Sequence, residues 1–323
     1  MKNEKKKLNW ITYSFSDTLT EEAKRNKKII VLDADLSDDI NLKKFQTIFP
    51  NRFIQNGIAE QDMVSMAGGL ALMGLLPVVN SFASFLTARA NEQIYNNCTE
   101  NSKIIYISLY AGLLPAGAGK SHQSLRDISL LSNIPNFKIF HPSNNYEARN
   151  ILKYCIRKEK YSCAIRLNIG PPPIENFKFN KKKFILGKGE VLQKGNKLAI
   201  FTYGQTMTSV VFKLNKILLK NKIRVKIVNF PSLNFFNKKW LTANLKSSRY
   251  LFLIDDHHSN GGFADLMTSF LVNQNINKNL KIKKICINEF PACGAAEEVL
   301  GYHKLDEISL YKLVKNIYKN ISI

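Results

Sequence analysis

The strongest constraint on the fold of this chain is a regular alternation of short apolar runs with longer segments of helical periodicity. Continuous apolar runs are typical of strands buried on both faces, and the segments between them are typical of the helices that cover a parallel sheet. The first half of the chain is therefore predicted to be an α/β fold with a parallel sheet. The predicted strands are KIIVLDADL (28–36), RFIQNGI (52–58), PVVNSF (77–82), KIIYISLY (103–110), FKIFHPS (137–143) and YSCAIRLN (161–168), and the predicted helices cover 16–26, 60–74, 88–97 and 144–159.

A proline-rich stretch separates this half from a second set of the same elements. In GPPPIENFKFNKKKF (170–184), three consecutive prolines precede a polar, lysine-rich run that cannot lie inside a sheet. We therefore expect two parallel-sheet domains, 1–175 and 191–323, joined by a linker over 176–190. The second domain is predicted to contain strands at 197–204, 224–230, 250–257 and 281–290, and helices at 206–220, 262–272 and 306–320.

Composition excludes several classes of protein. Hydrophobic residues make up 45% of the 323 positions, which is enough for a globular core. No apolar run reaches the ~20 residues that a membrane-spanning helix needs. The basic N-terminus MKNEKKKLNW is not followed by the apolar stretch of a secretory signal, and the five cysteines include no CxxC pair. We expect a cytoplasmic protein that does not contact a membrane.

The net charge of +22 is compatible with nucleic-acid binding, but its distribution argues against it. The lysines are spread along the chain and are not gathered with aromatic residues on one element. We interpret the charge as a compositional bias toward Lys, Asn and Ile, and a nucleic-acid function is the weakest of the alternatives.

Several chemically useful side chains directly follow predicted strands, whose carboxyl ends meet at the ligand-binding edge of a parallel sheet. Glu60 begins the helix after RFIQNGI. It is either an ordinary first-turn charge that interacts favourably with the helix dipole or a buried carboxylate suited to proton chemistry. One of Phe82 and Phe85 is expected in the core and the other against a flat ligand. One of Asp33 and Asp35 is expected to cap the following segment, and the other to face the ligand.

A glycine-rich loop brings His122 to the same predicted edge. The stretch LPAGAGKSH (114–122) ends like a P-loop, but Leu114 stands where that motif requires glycine, and no strand leads directly into a helix there. A nucleoside triphosphatase is therefore rejected. The sequence also lacks a GxGxxG turn for a dinucleotide and a GxSxG elbow for a hydrolase.

The same segments resemble the transketolase family along nearly the whole chain. VLDADLS, RFIQNGIAEQDMVSMAGGLA, SFASFLTARANEQ, GKSHQSLRDISLL and IPNFKIFHPSNN are similar to the pyrimidine-binding domain of transketolases, and DDHHSNGGFAD and CGAAEEVLG to their C-terminal domain. These motifs are shared with deoxyxylulose-phosphate synthases and, more loosely, with the β subunits of 2-oxoacid dehydrogenases.

The resemblance implies thiamine diphosphate as cofactor and assigns roles to individual residues. The family's catalytic glutamate falls on Glu60, whose carboxyl group would bond to the pyrimidine ring and so help to activate the thiazolium carbon. His122 would bind a hydroxyl or carbonyl oxygen of the substrate, and Arg166 an anionic group. The implied cofactor contacts are Phe85 stacked on the pyrimidine, Phe82 beside it, and Asp35 near the thiazolium.

The resemblance also implies that this chain is one half of an enzyme. Transketolases hold the diphosphate and Mg²⁺ with a GDG motif on an N-terminal domain, and this sequence contains no GDG. We therefore expect a partner chain that binds Mg²⁺ and shares thiamine diphosphate with this chain, which itself supplies no metal ligand. A heterotetramer with a second copy of this chain is the expected assembly.

Departures from the family pattern bear on the substrate. Tyr13 stands where transketolases carry an arginine that binds sugar phosphate. Asp39 stands near the position of a serine that assists this arginine. The loop before His122 is one residue shorter than in the family pattern. Because polar contacts of this kind dominate discrimination between substrates, we expect a two-carbon transfer that uses a modified sugar or another carbonyl compound.

Three other functions remain open at this point. The nearest are a deoxyxylulose-phosphate synthase-like subunit and a 2-oxoacid dehydrogenase E1 β-like subunit, although SHQSLRDISLL and the arginine of AIRLN favour a transketolase. A non-catalytic homologue that serves as a binding subunit is the alternative of another class. The presence of Glu60, Phe85 and His122 together argues against it, since a fold alone does not need a carboxylate at that junction.

Overall fold

The computed structural model describes residues 10–180 and 183–321, and the chain forms two compact units. The first unit comprises residues up to Ala111 together with Asp127–Pro172, and the second comprises Gly112–Arg126 together with the residues from Pro173 onward. The sequence-based domain of 1–175 included the segment 112–126. The structure places this segment in the second unit because its apolar side chains are buried in that unit's core.

The first unit is built on a six-stranded sheet with strand order β2-β1-β3-β4-β6-β5, in which neighbouring strands are parallel. The prediction of a parallel α/β sheet is confirmed. Fully buried strands such as Ile105–Leu109 explain why the sequence shows continuous apolar runs and not an alternating pattern. The strands are β1 (Ile29–Asp33), β2 (Phe53–Gln55), β3 (Leu76–Phe82), β4 (Ile105–Leu109), β5 (Lys138–Phe140) and β6 (Cys163–Leu167).

The helices of the first unit differ from the prediction mainly where they are short. The helix expected over 88–97 is in fact two helices, which meet at Ala90, and the first of them follows β3 without a loop. Two further helices of six residues each were not predicted, because so few residues show no clear periodicity. The helices are α1 (Ile11–Arg25), α2 (Lys43–Ile48), α3 (Glu60–Leu72), α4 (Ala83–Arg89), α5 (Asn91–Thr99), α6 (Asp127–Ser132) and α7 (Asn145–Arg157).

The small residues of α3 have different roles. A Cβ at Gly68 would overlap the side-chain amide of Asn97 on α5, which donates a hydrogen bond to the carbonyl of Val64 at 2.8 Å. Glycine at this position therefore allows the two helices to approach. Gly69 is exposed with open space around it, and Gly74 has a φ of +83° in the turn after the helix.

The second unit contains a five-stranded mixed sheet with strand order β11-β10-β8-β9-β7. Here the expectation of a purely parallel sheet is corrected, because β7 runs antiparallel to β9. This edge strand has only four half-buried residues, too few to give a recognisable pattern. Between Pro173 and Gly189 the described residues form no helix or strand. The strands are β7 (Glu190–Gln193), β8 (Leu198–Thr202), β9 (Lys226–Asn229), β10 (Tyr250–His258) and β11 (Lys281–Ile287).

The helices of the second unit cover this sheet and complete its core. The two longest, which lie near 206–220 and 306–320, were predicted to within one residue at each end. Within the described part of the chain, no helix is long and apolar enough to cross a membrane. The helices are α8 (Gln205–Lys220), α9 (Lys238–Leu245), α10 (Phe263–Asn273), α11 (Ala296–Tyr302) and α12 (Glu307–Ile321).

Candidate active site

Glu60 is a buried carboxylate at the first position of α3 and is only 4% exposed. Arg89 donates from Nη1 to both of its carboxylate oxygens, at 3.0 and 3.1 Å. Ser81, near the end of β3, donates to Oε1 at 3.4 Å. The position at the helix N-terminus favours a negative charge, as the sequence suggested, but burial and two side-chain partners distinguish Glu60 from an ordinary first-turn carboxylate.

An aromatic cluster lies next to this carboxylate. The ring centroids of Phe82 and Phe85 are 5.7 Å apart, and those of Phe82 and Tyr110 are 4.8 Å apart. The guanidinium carbon of Arg89 lies 4.0 Å from the centroid of Phe85, so the same arginine contacts both Glu60 and this ring. Phe82, Phe85 and Tyr110 are all half-buried, which leaves part of each ring accessible at this edge.

The two aspartates at the end of β1 have separate environments. Asp33 is fully buried and accepts hydrogen bonds from the side chain of Asn80 at 2.5 Å, the backbone N–H of Leu36 at 2.9 Å and the side chain of Gln55 at 3.1 Å. Burial raises the pKa of Asp33 above its usual value. Asp33 is therefore the aspartate that caps the following segment. Asp35 is exposed, has a φ of +62°, and donates its backbone N–H to Gln55 at 2.9 Å.

Arg166 lies at the centre of a buried polar network. It is fully buried in β6, donates to the two carboxylate oxygens of Asp127 at 2.7 and 3.3 Å, and contacts Nδ1 of His141 at 3.0 Å. Nε2 of His141 contacts Oδ1 of Asn168 at 3.0 Å, and Asn168 donates to the carbonyl of Ala111 at 3.3 Å. Burial and the nearby Arg166 charge hold the pKa of His141 well below 6.5, while the contact with Asn168 opposes this shift.

This geometry bears on the role predicted for Arg166. A guanidinium bonded to a carboxylate through two nitrogens in a fully buried setting is a structural ion pair. The network joins the ends of β5 and β6 to the start of α6, so Arg166 orients His141 at the carboxyl edge of the sheet. Binding of a substrate anion by Arg166 stays a prediction.

His122 belongs to the second unit, whereas Glu60, Phe82, Phe85, Asp35 and Arg166 belong to the first. The His122 side chain is half-buried, and its Nδ1 lies 3.1 Å from Oγ of Ser121. Its backbone N–H donates to the carbonyl of Gly119 at 3.0 Å, so a tight turn within the loop presents the imidazole. Within the first unit, the structure therefore brings Glu60, Phe82 and Phe85 together.

Some residues of this edge were missed by sequence reasoning. Arg89 stands within the motif SFASFLTARANEQ, one helical turn after Phe85, and its spacing was the available signal. Tyr110 follows β4 with a φ of +55°, a conformation that is uncommon for a bulky residue and that sequence pattern does not reveal. Burial, together with the nearby charge of Asp39, raises the pKa of Tyr110.

The two positions that depart from the family pattern also have defined surroundings. Tyr13 is half-buried on α1 and packs edge-on against Trp10, with 6.3 Å between the ring centroids. The pKa of Asp39 is raised by burial and by the charges of Asp38 and Asp33. Asp39 is therefore a partly buried carboxylate with other acidic side chains nearby.

The residues of the first unit fit the pyrimidine half of thiamine diphosphate. A buried carboxylate supplies a partner for a ring nitrogen, and adjacent half-buried aromatic rings supply a stacking surface. Across residues 10–180 and 183–321, no group of three or more His, Cys, Asp or Glu side chains is arranged to hold a metal ion.

Comparison with protein families agrees with this geometry. Residues 6–169 match the family model described as "Transketolase, pyrimidine binding domain", and residues 187–309 match the model described as "Transketolase, C-terminal domain". These two matches cover most of the chain and follow the order of the two sheet-containing regions.

Comparison with individual proteins identifies relatives of similar length and relatives about twice as long. The chain is 31% identical over 304 residues to a protein of Methanocaldococcus jannaschii named as a transketolase C-terminal section, with 93% of each chain covered. It is 28% identical to one of the apulose-4-phosphate transketolase subunits of Actinobacillus succinogenes, with 91% of this chain and 94% of the relative covered. It is also 28% identical to the 1-deoxy-D-xylulose-5-phosphate synthase of Clostridium tetani, of which it spans about half, since the match covers 97% of this chain and 50% of the relative.

Solved structures share the fold. A structure titled "Split gene transketolase, inactive beta4 tetramer" superposes with a TM-score of 0.82 at 27% identity, covering 95% of this chain and 97% of that one. A transketolase from Campylobacter jejuni gives a TM-score of 0.78 at 17% identity, covering 95% of this chain and 46% of that one, which shows the fold alone. The chain belongs to the transketolase family and corresponds to its C-terminal section, a pyrimidine-binding domain followed by a transketolase C-terminal domain.

Proposed function

We propose that this chain is the C-terminal subunit of a two-subunit, thiamine diphosphate-dependent transketolase in carbohydrate metabolism, which transfers a two-carbon ketol unit. The observation that carries the proposal is the environment of Glu60: a buried carboxylate at a helix N-terminus, bonded to Arg89, beside the half-buried ring of Phe85. A buried carboxylate next to an accessible aromatic surface suits recognition of a protonatable, flat heterocycle.

The residues of this chain have distinct roles in the proposed reaction. Thiamine diphosphate, when bound, supplies the carbon nucleophile for the transfer. The carboxyl group of Glu60 holds a proton at the pyrimidine nitrogen, and Arg89 keeps that carboxyl group in position. Phe85 would stack on the pyrimidine, Phe82 would support that ring, and Asp35 would be the residue of this chain nearest the thiazolium.

Two residues of this chain are proposed to act on the substrate, one directly and one through its neighbours. His122 donates to a hydroxyl or carbonyl oxygen of the substrate. Arg166 acts on the substrate through the network with Asp127 and His141, because its guanidinium is fully buried and already bonded. A direct contact between Arg166 and an anionic group would require that network to open.

A partner chain is part of the proposal. The sequence contains no GDG motif for the diphosphate and Mg²⁺, so the partner would supply that half of the site. A similar solved structure is titled an inactive β4 tetramer, which supports a chain that self-associates and is active only with its partner, as in a heterotetramer. Exposed apolar side chains on and around α3 would be covered by the partner, since Glu60 begins this helix; they are Ile58, Met66, Leu72 and Met73.

The proposed substrates are a non-standard sugar or another carbonyl compound. Burial raises the pKa of Asp39, and the charges of Asp38 and Asp33 raise it further; this negative charge disfavours a phosphate group nearby. The relative named for apulose 4-phosphate supports a test of that sugar phosphate beside xylulose 5-phosphate and ribose 5-phosphate. Five free cysteines support a location in the reducing cytoplasm.

A second candidate is a 1-deoxyxylulose-5-phosphate synthase-like subunit. The similarity to such a synthase over 97% of this chain favours it. The two functions differ in their product, so assay of the assembled enzyme for 1-deoxy-D-xylulose 5-phosphate separates them. Formation of that product at a rate above ketol transfer would replace the leading proposal.

The decisive experiment is calorimetric titration of thiamine diphosphate in the presence of Mg²⁺. It uses this chain alone and this chain co-expressed with the product of the adjacent reading frame. Binding in the pair only is the expected result. Tight binding by the chain alone would contradict the partner requirement, and no binding by either sample would favour a non-catalytic homologue.

Activity of the pair is then compared between wild type, Glu60→Gln and a matched control. Glu22→Gln is that control, because Glu22 is also 4% exposed at its side chain and pairs with a half-exposed arginine, Arg157, on a different helix. Glu60→Gln should abolish turnover, whereas Glu22→Gln should retain it. Coupled assays with xylulose 5-phosphate and ribose 5-phosphate, and then with apulose 4-phosphate, identify the donor. High turnover with the first pair would refute a non-standard substrate.

A further inference from the structure

The loop that carries His122 is anchored in the second unit at both of its ends. The backbones of Gly112 and Ser124 exchange two hydrogen bonds of 3.1 Å, which close the base of the loop. Three apolar side chains of the loop are buried in the core of the second unit, namely Leu113, Ala116 and Leu125. The residues at the tip, including Gly117, Ala118, Lys120 and Ser121, are exposed.

Asp256, on β10, contacts the entry point of this loop. Its Oδ2 accepts a hydrogen bond from the backbone N–H of Leu113 at 3.3 Å. The neighbouring Gly112 has a φ of +94°, and a Cβ at this position would overlap the same carboxylate oxygen. Glycine is thus required for two reasons at once, its backbone conformation and the close approach of Asp256.

Asp256 is itself fixed by neighbours in the core of the second unit. Its Oδ1 lies 2.9 Å from the hydroxyl of Tyr203, which also lies 2.5 Å from Oδ1 of Asp255. Oδ2 of Asp255 accepts the backbone N–H of Ala264, in the first turn of α10, at 2.8 Å. A run of polar contacts, in which the single Tyr203 hydroxyl lies between the carboxyl groups of Asp255 and Asp256, therefore extends from a helix N-terminus to the backbone of the loop.

The exit end of the loop has its own contacts. The side-chain amide of Gln123 donates to the carbonyls of Leu113 and Ala292, both at 2.9 Å. The backbone N–H of His258, two residues after Asp256, donates to the carbonyl of Leu125 at 3.2 Å. Both ends of the loop are consequently held by the carboxyl end of β10, and His122 lies between them.

We propose that Asp256 is a positioning residue, which sets the place of His122 by holding the backbone of Leu113. The transketolase C-terminal domain then has a specific task in this chain, the orientation of a substrate-binding loop. The inference rests on the proposed function only for the role of His122. The attachment of the loop to Asp256 is tested separately from any activity.

The first test is limited proteolysis of the full chain with trypsin, followed by mass spectrometry. Lys120 is the exposed cleavage site at the tip of the loop. Asp256→Ala removes the acceptor for Leu113, and we expect cleavage after Lys120 to become roughly tenfold faster, the effect of losing one hydrogen bond to a buried backbone N–H. Asp265→Ala is the matched control. It removes a carboxylate of the same unit whose partners are Lys284, at 2.7 Å, and the backbone N–H of Gly261, neither of which belongs to the loop.

Two further variants keep this test decisive if Asp256→Ala does not fold. Asp256→Asn preserves one acceptor for Leu113 and places an amide donor toward Tyr203, so cleavage of this variant should stay close to the wild-type rate. Gly112→Ala introduces strain and overlap from the opposite side and should accelerate cleavage as Asp256→Ala does. Equal cleavage after Lys120 in wild type, Asp256→Ala and Gly112→Ala would overturn the proposal.

The second test is kinetic and uses the assembled enzyme with whichever donor it accepts. Asp256→Ala should lower kcat/KM for that donor by about tenfold while leaving the affinity for thiamine diphosphate unchanged. In a His122→Ala background the same substitution should have little further effect, because the loop then has no imidazole to position. Full additivity of the two substitutions would contradict the positioning role. An inactive wild-type enzyme would count against the proposed function and leave the proteolysis result standing.

Discussion

Arg89 donates a single nitrogen to both carboxylate oxygens of Glu60, at 3.0 and 3.1 Å, whereas the comparable pair elsewhere in the first unit uses two nitrogens. In that second pair, Nε and Nη2 of Arg157 each donate to a separate oxygen of Glu22, at 2.7 and 2.6 Å. The two pairs have almost the same exposure, with carboxylates at 4% and arginines at 46% and 47%. The contact in the candidate site is thus the looser of two otherwise similar ion pairs.

This difference predicts unequal coupling energies. In double-mutant cycles with Glu→Gln and Arg→Ala substitutions, the Glu60–Arg89 coupling should be about 1 kcal/mol and the Glu22–Arg157 coupling about 2 kcal/mol, after allowance for half-exposed arginines. The measurement is the free energy of unfolding in urea, on the chain alone. The weaker ion pair is expected because Glu60 must also bond to a ligand. Equal coupling energies, or a larger coupling energy for Glu60–Arg89, would contradict this interpretation.

Removal of the Arg166 charge is predicted to destabilise the chain before any substrate is added. Arg166→Met removes the buried cation bonded to Asp127 and should lower the free energy of unfolding by about 3–5 kcal/mol, as for other broken buried pairs. The double variant Arg166→Met with Asp127→Leu should recover most of that loss. Urea unfolding measures both. Unchanged stability of Arg166→Met, with only a raised KM, would instead identify Arg166 as a direct substrate ligand.

Stability should decrease as the pH falls below 7. The pKa of buried His141 is held well below 6.5, so between that lowered pKa and 6.5 the unfolded chain binds a proton that the folded chain does not. The free energy of unfolding therefore falls as the pH drops, by up to about 1.4 kcal/mol per pH unit from this group. Arg166 contacts Nδ1 of His141, Asn168 contacts Nε2, and Asp127 pairs with Arg166.

The check is urea unfolding at pH 7 and pH 5 for wild type and His141→Gln. His303 has a lowered pKa and contributes in the same direction, while the raised pKa of Asp33 contributes in the opposite direction. The difference between the two proteins therefore isolates His141. A pH dependence that His141→Gln leaves intact would assign the effect to other groups.

The ring of Phe85 should contribute to cofactor affinity. Phe85→Leu removes a stacking surface and is expected to weaken thiamine diphosphate binding by the assembled enzyme about 5- to 30-fold, equivalent to roughly 1–2 kcal/mol. Phe49→Leu is the matched control, because Arg52 lies 4.0 Å from the Phe49 ring just as Arg89 does from Phe85. Equal weakening in both variants would point to a general loss of stability.

Local patterns were sufficient to predict most of the sheet and to point to two residues that lie together in the candidate site. The buried strands of the first unit appear in the sequence as continuous apolar runs, and Glu60 and Phe85 stand in motifs close to strand ends. Arg89 was missed although it lies in the same motif as Phe85, since an arginine on a short helix is most often solvated. The left-handed backbone of Tyr110 leaves no signature in sequence at all.

The features that local patterns did not predict depend on contacts between residues far apart in the sequence. Leu113 and Asp256 are separated by 143 positions, and nothing in the local sequence of the His122 loop indicates that its anchor lies on β10. The network around Arg166 also could not be predicted from local sequence. Its members Asp127, His141 and Asn168 come from separate segments that meet only in the folded unit.

The path of the backbone has a practical consequence for modular construction of such enzymes. The chain leaves the first unit after Ala111, supplies fifteen residues to the second, and returns at Asp127 before it leaves again at Pro172. A cut between the two family-model regions would therefore produce an N-terminal fragment whose His122 loop has lost every partner on β10. Exchange of C-terminal domains between relatives should succeed only when residues 112–126 are exchanged with them, so that the unit of recombination is discontinuous in sequence.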